Sequence, residues 1–174
     1  ADNIKSPELC SKPVIASVRG FCFGVGFELC LACDFRIVSE TTNFAFPEQK
    51  IGMIPGSGGS IRLLHMIGMA RTKDLVMRSR WMSGKESESW GIALECVKDN
   101  NLEEATSALV GELLTFSPLA QRTIKKVLYT AQDTSLHAGI ELEGKAYGRL
   151  RTSNDFAAGV KAFNEKKKAK WSGT

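Results

Sequence analysis

The chain has 174 residues, a length that suits one domain and leaves little room for two. Hydrophobic residues make up 43% and charged residues 24%, a globular balance that excludes intrinsic disorder. The net charge of +4 is mild but local: Lys161, Lys166, Lys167, Lys168 and Lys170 crowd residues 161–174 beside one carboxylate, Glu165, and point to an anionic partner.

The longest apolar run, 21–33, is too short to cross a bilayer and is interrupted by Glu28, which excludes a membrane-spanning helix. The opening ADNIKSPELC has neither the basic start nor the apolar stretch of a signal peptide, and without a Met it reads as a processed or trimmed end. Five cysteines, an odd number without framework spacing, predict reduced thiols in the cytoplasm or the mitochondrial matrix.

After a polar opening, the β-branched run over 14–18 predicts a buried strand, ended by Arg19 and Gly20. Past Gly24 and Gly26 the apolar stretch predicts a buried helix starting near Val25. A second strand is expected over 35–38, a polar loop over 39–43, and a brief extended piece over 44–46 that ends at Pro47. Residues 55–60, Pro-Gly-Ser-Gly-Gly-Ser, form a glycine-rich turn, followed by helical spacing over 61–67 and 70–77. A short strand at 81–82, a short helix over 84–90 and a last strand over 95–97 complete this part. Helices are then predicted over 102–115, 118–131, 135–151 and 153–167, with Ser117-Pro118 and Ser135 as start signals. The fold class is therefore α/β over 1–100 and all-helical over 101–174.

Glu28 is the one charged residue in the apolar run 21–33. Burying a carboxylate costs several kcal/mol unless it is paired or hydrogen-bonded, so Glu28 is either a general acid/base candidate or a residue on an exposed helix side, or one paired with Arg19 or Arg36. Gly20, Gly24 and Gly26 lie between strand and helix, where bare backbone can approach a ligand and the N–H of Val25 can hold an oxyanion. Glu48 follows a proline-stiffened corner; two carboxyls at one pocket run paired acid and base steps, while a lone Glu there is a solvated or helix-starting residue. Gly24-Val25-Gly26 also carries a weak dinucleotide-site reading, which Leu29 at the third small position argues against. Cys30 and Cys33 have C-x-x-C spacing inside the apolar helix with no second pair, and read as structural thiols. His65 and His137 are isolated, with no nucleophile context, and the glycine-rich turn lacks the Lys-Ser/Thr ending of a phosphate-binding loop.

The ordered motifs Lys12-Pro13-Val14-Ile15-Ala16-x-Val18-x-Gly20, Gly24-x-Gly26-x-Glu28-Leu29 and Cys33-Asp34 resemble the signature of the crotonase (enoyl-CoA hydratase/isomerase) superfamily. The resemblance continues through Phe44-x-Phe46-Pro47-Glu48, Gly52-Met53-Ile54-Pro55-Gly56-x-Gly58-Gly59 and Arg62-Leu63 to Asn154-Asp155-x-x-x-Gly159-Val160-x-Ala162-Phe163-x-Glu165-Lys166, and it covers the chain from Lys12 to Trp171. It implies a crotonase-like α/β core, a ββα superhelix lacking its N-terminal part, with the helical region of 101–174 serving oligomerisation and contacting CoA.

The resemblance also implies the chemistry. The backbone N–H of Val25, where the family usually has Gly, would hold the thioester carbonyl of an acyl-CoA, in a tighter acyl pocket. Glu28 would activate water for attack at C3, and Glu48 would exchange the proton at C2. Gly24 and Gly26 would line the substrate site, and Phe163 and Lys166 would reach CoA, whose phosphates suit lysine. Keeping both glutamates favours an enoyl-CoA hydratase over an isomerase or another acyl-CoA lyase or hydrolase of the family. No cofactor beyond the CoA of the substrate and no metal is expected, and a homotrimer or homohexamer is implied. The family's other oxyanion donor lies in an upstream Ala/Gly-Gly-x-Asp-like segment, of which Ala1-Asp2 reads as the remnant. A non-catalytic module binding CoA or RNA through the basic tail is the competing class; lysines without interleaved aromatics, apart from Phe163 and Trp171, argue against RNA.

Overall fold

The computed structural model describes residues 2–174, with side chains from Ile4 onward. Ala1, read above as part of an upstream oxyanion segment, lies outside the described residues, as does the side chain of Asp2. The chain forms two compact units. One comprises Val14–Ala108 with the segment up to Cys10, and the other comprises Leu109–Thr174 with Ser11–Pro13.

The first unit alternates between two small sheets. Strand β1 (Ile15–Val18) pairs in parallel with β3 (Phe35–Ser39), Ile15 opposite Phe35 and Val18 opposite Val38, and β6 (Glu95–Val97) joins the other edge of β3. In the second sheet β2 (Phe21–Phe23) runs parallel to β4 (Asn43–Ala45), with Cys22 opposite Phe44, and β5 (Met82–Ser83) is antiparallel to β4. Each pass thus places one strand in each sheet before the chain crosses over. Parallel partners require such a crossover, and helix α2 (Val25–Ala32) supplies it between β2 and β3. Helix α1 (Ser6–Leu9), preceded by a 3₁₀ turn over Asp2–Lys5, and strand β2 were not anticipated from the sequence. The apolar run over 21–33 hides the change from strand to helix at Gly24.

The core forms where α2 meets the sheets. Phe27 stacks on Phe44 at 4.5 Å and on Phe46 at 4.8 Å between ring centroids, with Leu31, Leu63 and Met82 buried alongside. Arg36 is buried and donates to the carbonyl oxygens of Cys30 (3.0 Å), Cys33 (2.7 Å) and Ile92 (2.5 Å), so it satisfies the C-terminal end of α2. Helix α3 (Gly59–Arg78) is one element interrupted at Gly68 (φ 75°, ψ 172°), the gap between the two helices expected from sequence. Helix α4 (Gly84–Ser89) starts at the cap Ser83 and leads toward β6.

Helix α5 (Leu102–Leu113) carries the chain from the first unit into the second. There α6 (Pro118–Ala131) packs on α7 (Leu136–Leu150), and α8 (Asn154–Asn164) follows. Ser117, Ser135 and Ser153 each cap a helix, accepting from the N–H of Ala120 (3.1 Å), Ala138 (3.3 Å) and Phe156 (3.0 Å). The tail folds back on α8: buried Asp155 accepts from Ser117 Oγ (2.6 Å), Ser172 N–H (2.7 Å), Ser172 Oγ (3.0 Å) and Gly173 N–H (3.0 Å). Burial acts to raise the Asp155 carboxyl, but these hydrogen bonds outweigh it and hold the group below its ordinary value.

Candidate active site

The site is built at the start of α2. Gly24 is its cap, with φ +54° and ψ −124°, a conformation that side-chain-bearing residues rarely adopt. Its N–H donates to the Ala45 carbonyl at 3.0 Å, which fixes the turn against β4, and its carbonyl accepts the first helical hydrogen bond from Glu28 N–H at 3.0 Å. Val25 and Gly26 follow in the first turn, where no intrahelical carbonyl reaches their N–H groups. Those donors and the helix dipole favour a negative charge at this end of the helix. The Val25 side chain is 64% exposed beside them.

Glu28 lies one turn further along and is 1% exposed, so the reading of a residue on an open helix side is corrected. Its partners are backbone groups. Oε1 accepts from Ser57 N–H at 2.8 Å and from Gly59 N–H at 3.0 Å. Arg19 instead meets Asp99, and Arg36 holds the carbonyls described above. These two charge-assisted hydrogen bonds orient the carboxyl at the N-terminal end of α3. A Cβ at Gly59 would come within 2.7 Å of Glu28 Cγ and 2.5 Å of Phe46 Cζ, so only glycine lets the loop approach this closely. The loop is anchored in turn by Arg62, which donates from Nη1 to the Ser57 carbonyl at 2.8 Å and pairs through Nε with Glu8 of α1.

Glu48 arrives from the opposite side on a 3₁₀ turn, Pro47–Ile51, that directly follows β4. Met53 N–H donates to its carbonyl at 2.9 Å, and Gly52 closes the turn. The carboxyl presses on the cap of α2: a Cβ at Gly24 would lie 2.9 Å from Glu48 Oε1. Glu48 Oε2 is buried and has no hydrogen-bond partner among the described residues. Unsatisfied buried carboxyl oxygens are costly and uncommon in a well-packed core. Gly24, Val25, Gly26 and Glu28 therefore share the start of α2, and Glu48 abuts its cap. Phe163 and Lys166 belong to the other unit, at the exposed end of α8, where Phe163 is 83% exposed and Lys166 takes a left-handed backbone (φ 54°).

Residues 3–174 match the family model described as enoyl-CoA hydratase/isomerase. The chain belongs to this family. The enoyl-CoA hydratase/isomerase member described here superposes on an enoyl-CoA hydratase from Bacillus anthracis with a TM-score of 0.97 at 32% identity, covering 99% of this chain and 67% of that one. A Geobacillus kaustophilus structure of an enoyl-CoA hydratase subunit I gives 0.92 at 38% identity, over 99% and 66%. The fold is thus crotonase-like, with mixed α/β and mostly helical content. Among curated relatives, the carnitinyl-CoA dehydratase of Salmonella arizonae is 36% identical over 167 residues, 94% of this chain. The chain spans 64% of that relative's length.

Sequence reasoning missed Ser57, Gly59, Arg62 and Glu8 as the apparatus that holds Glu28. The signal was present: a buried carboxylate demands donors, and a glycine-rich loop ahead of a helix is a ready supply of them.

Proposed function

We propose that this family member adds water across the 2,3 double bond of an enoyl-CoA thioester, or removes it in reverse, at the turn formed by Gly24–Glu28 and Glu48. The observation that carries the reading is the Glu48 carboxyl set against the cap of the helix that carries Glu28, with a buried oxygen that finds no partner among the described residues. Val25 N–H binds the thioester oxygen and stabilises the enolate-like charge that forms there; one such donor is worth roughly 10²–10³ in rate. Glu28, held through Oε1, uses its other oxygen to take a proton from water as it attacks C3. Glu48 Oε2 delivers the proton to C2. Gly24 and Gly26 leave room for the thioester beside the backbone. Phe163 and Lys166 contribute to CoA binding, with lysine meeting phosphate as a point charge, and the chain works as a homotrimer or homohexamer.

Likeness to the carnitinyl-CoA dehydratases supports a second reading, in which the same two carboxyls eliminate water from a carnitinyl-CoA. The deciding experiment follows loss of the enoyl-thioester absorbance of crotonyl-CoA, and its appearance from carnitinyl-CoA, with Glu48→Gln run alongside. Turnover of either substrate that falls by about 10²–10⁴ in the variant while CoA binding persists is the expected result. Equal activity in Glu48→Gln sinks the assignment.

A further inference from the structure

Two thiols bracket the catalytic turn without any role in the reaction proposed above. Cys22 sits in the middle of β2 and Cys30 in the last turn of α2, eight positions apart, and their sulfurs lie 3.5 Å from each other. Both are half-buried thiols. Cys30 and Cys33, read from sequence as structural thiols, do not meet through an S–S contact: the fold directs Cys30 to Cys22, while the Cys33 thiol donates to the Leu29 carbonyl at 3.4 Å.

We propose that Cys22 and Cys30 form a peroxide-sensitive dithiol, which closes to a disulfide across the segment that carries Gly24, Val25, Gly26 and Glu28. A disulfide needs a sulfur separation of about 2.05 Å, so the two must close by about 1.5 Å, a movement that side-chain rotation on a strand and a neighbouring helix can supply. The pair is also chemically asymmetric. A hydrogen bond from Cys30 holds the Cys22 thiol below the usual thiol range against the opposing effect of burial. The same hydrogen bond, together with burial, pushes Cys30 far up. We assign Cys22 as the attacking thiolate and Cys30 as the resolving thiol, an order that the Cys30→Ser and Cys22→Ser variants below decide.

In the first step the Cys22 thiolate attacks the outer oxygen of a hydroperoxide. The S–O bond forms, the O–O bond breaks, and the alkoxide or hydroxide leaves and takes up a proton. Cys30 then attacks the Cys22 sulfenic sulfur as its own proton passes to the departing hydroxyl, which leaves as water. Two thiols and one hydroperoxide give one disulfide, one alcohol (water when the oxidant is hydrogen peroxide) and one water. The two electrons come from sulfur.

The test treats the purified chain with stoichiometric hydrogen peroxide, alkylates it without reduction, and maps the tryptic peptide 20–36, which contains Cys22, Cys30 and Cys33. The expected result is a drop from three alkylatable thiols to one, Cys33, with the peptide lighter by two hydrogens and restored by a reductant. Cys30→Ser is expected to trap a sulfenic acid on Cys22 that dimedone captures, and Cys22→Ser to abolish the link. Three thiols still open to alkylation, a Cys30–Cys33 link, or dimedone on a cysteine other than Cys22 in Cys30→Ser overturns the proposal. Should Cys22→Ser lose its fold by circular dichroism, the Cys30→Ser result decides alone. The readout is sulfur mass, so it stands or falls independently of the acyl-CoA reaction.

Discussion

Replacing Gly59 by alanine perturbs the proposed acid/base pair without touching either carboxyl. The added methyl would lie 2.5 Å from Phe46 Cζ and 2.7 Å from Glu28 Cγ, where ordinary contact begins at 3.4 Å, a shortfall of 0.9 Å and 0.7 Å. Phe46 is locked in the ring stack with Phe27, so the strain is relieved by moving Glu28, or by withdrawing the loop that supplies its two N–H donors. Misplacing a reacting group by about 1 Å costs about 10²-fold in rate, which corresponds to about 2.7 kcal/mol of barrier. Overpacking at this position adds a stability loss of about 1–3 kcal/mol, small enough to leave a folded protein for assay. The measurement pairs kcat and KM for crotonyl-CoA hydration with urea unfolding of the same sample. A fall of about 10² in kcat with little change in KM is expected. A folded Gly59→Ala protein that keeps kcat within about threefold of the parent, a loss of less than 1 kcal/mol, would refute the claim that this loop positions Glu28.

Three further outcomes are expected. Arg62→Met leaves Glu8 unpaired in a mostly buried place and should cost about 3 kcal/mol in urea unfolding, whereas adding Glu8→Leu to it should recover part of that loss; simple additivity of the two would show that the pair is not coupled. The Asp155 carboxyl is held below its ordinary value of 3.8, so its contribution to the tail is complete above that pH and fades as pH falls through the lower folded-state value. The indole N–H of Trp171, which donates to the Thr115 carbonyl at 2.8 Å, should therefore lose its protected resonance in acid, and Asp155→Asn should lose it at neutral pH; an unchanged resonance in Asp155→Asn would contradict the clasp. Val25→Gly should broaden acyl-chain tolerance in the hydration assay, because a branched side chain beside the proposed oxyanion donor is removed; an identical chain-length profile would count against a pocket at that face.

The elements legible in the sequence are those whose pattern changes at their ends. Pro118 to Ala131 matched residue for residue because Ser117-Pro118 marks the start chemically. The Gly68 break in α3 was visible as a gap between two helical stretches. Strand β2 was hidden because Phe21, Cys22 and Phe23 continue into an equally apolar helix, and only the positive φ at Gly24 separates the two. Glu28 stood out as a carboxyl in apolar surroundings, and Glu48 through its place after Pro47 and the family resemblance. What holds Glu28 did not, because its donors are backbone N–H groups of residues about thirty positions away, and a backbone donor leaves no side-chain signature. The pairing of Cys22 with Cys30 was obscured for a related reason: contact between a strand and the helix after it follows no fixed spacing.

Helix α2 has eight residues, too few to persist in water by its own hydrogen bonds. It exists because Ala45 anchors one end, Arg36 satisfies the other and Phe27 is stacked between them. A site carried on such an element has no autonomous existence. The proposed acid/base chemistry is then all-or-none: partial denaturation should give fewer competent molecules rather than weakened ones, so specific activity should track the fraction folded while KM stays constant. Amide protons of Phe27 to Leu31 should exchange only through opening of the whole unit, which makes this helix one of the last parts of the protein to loosen.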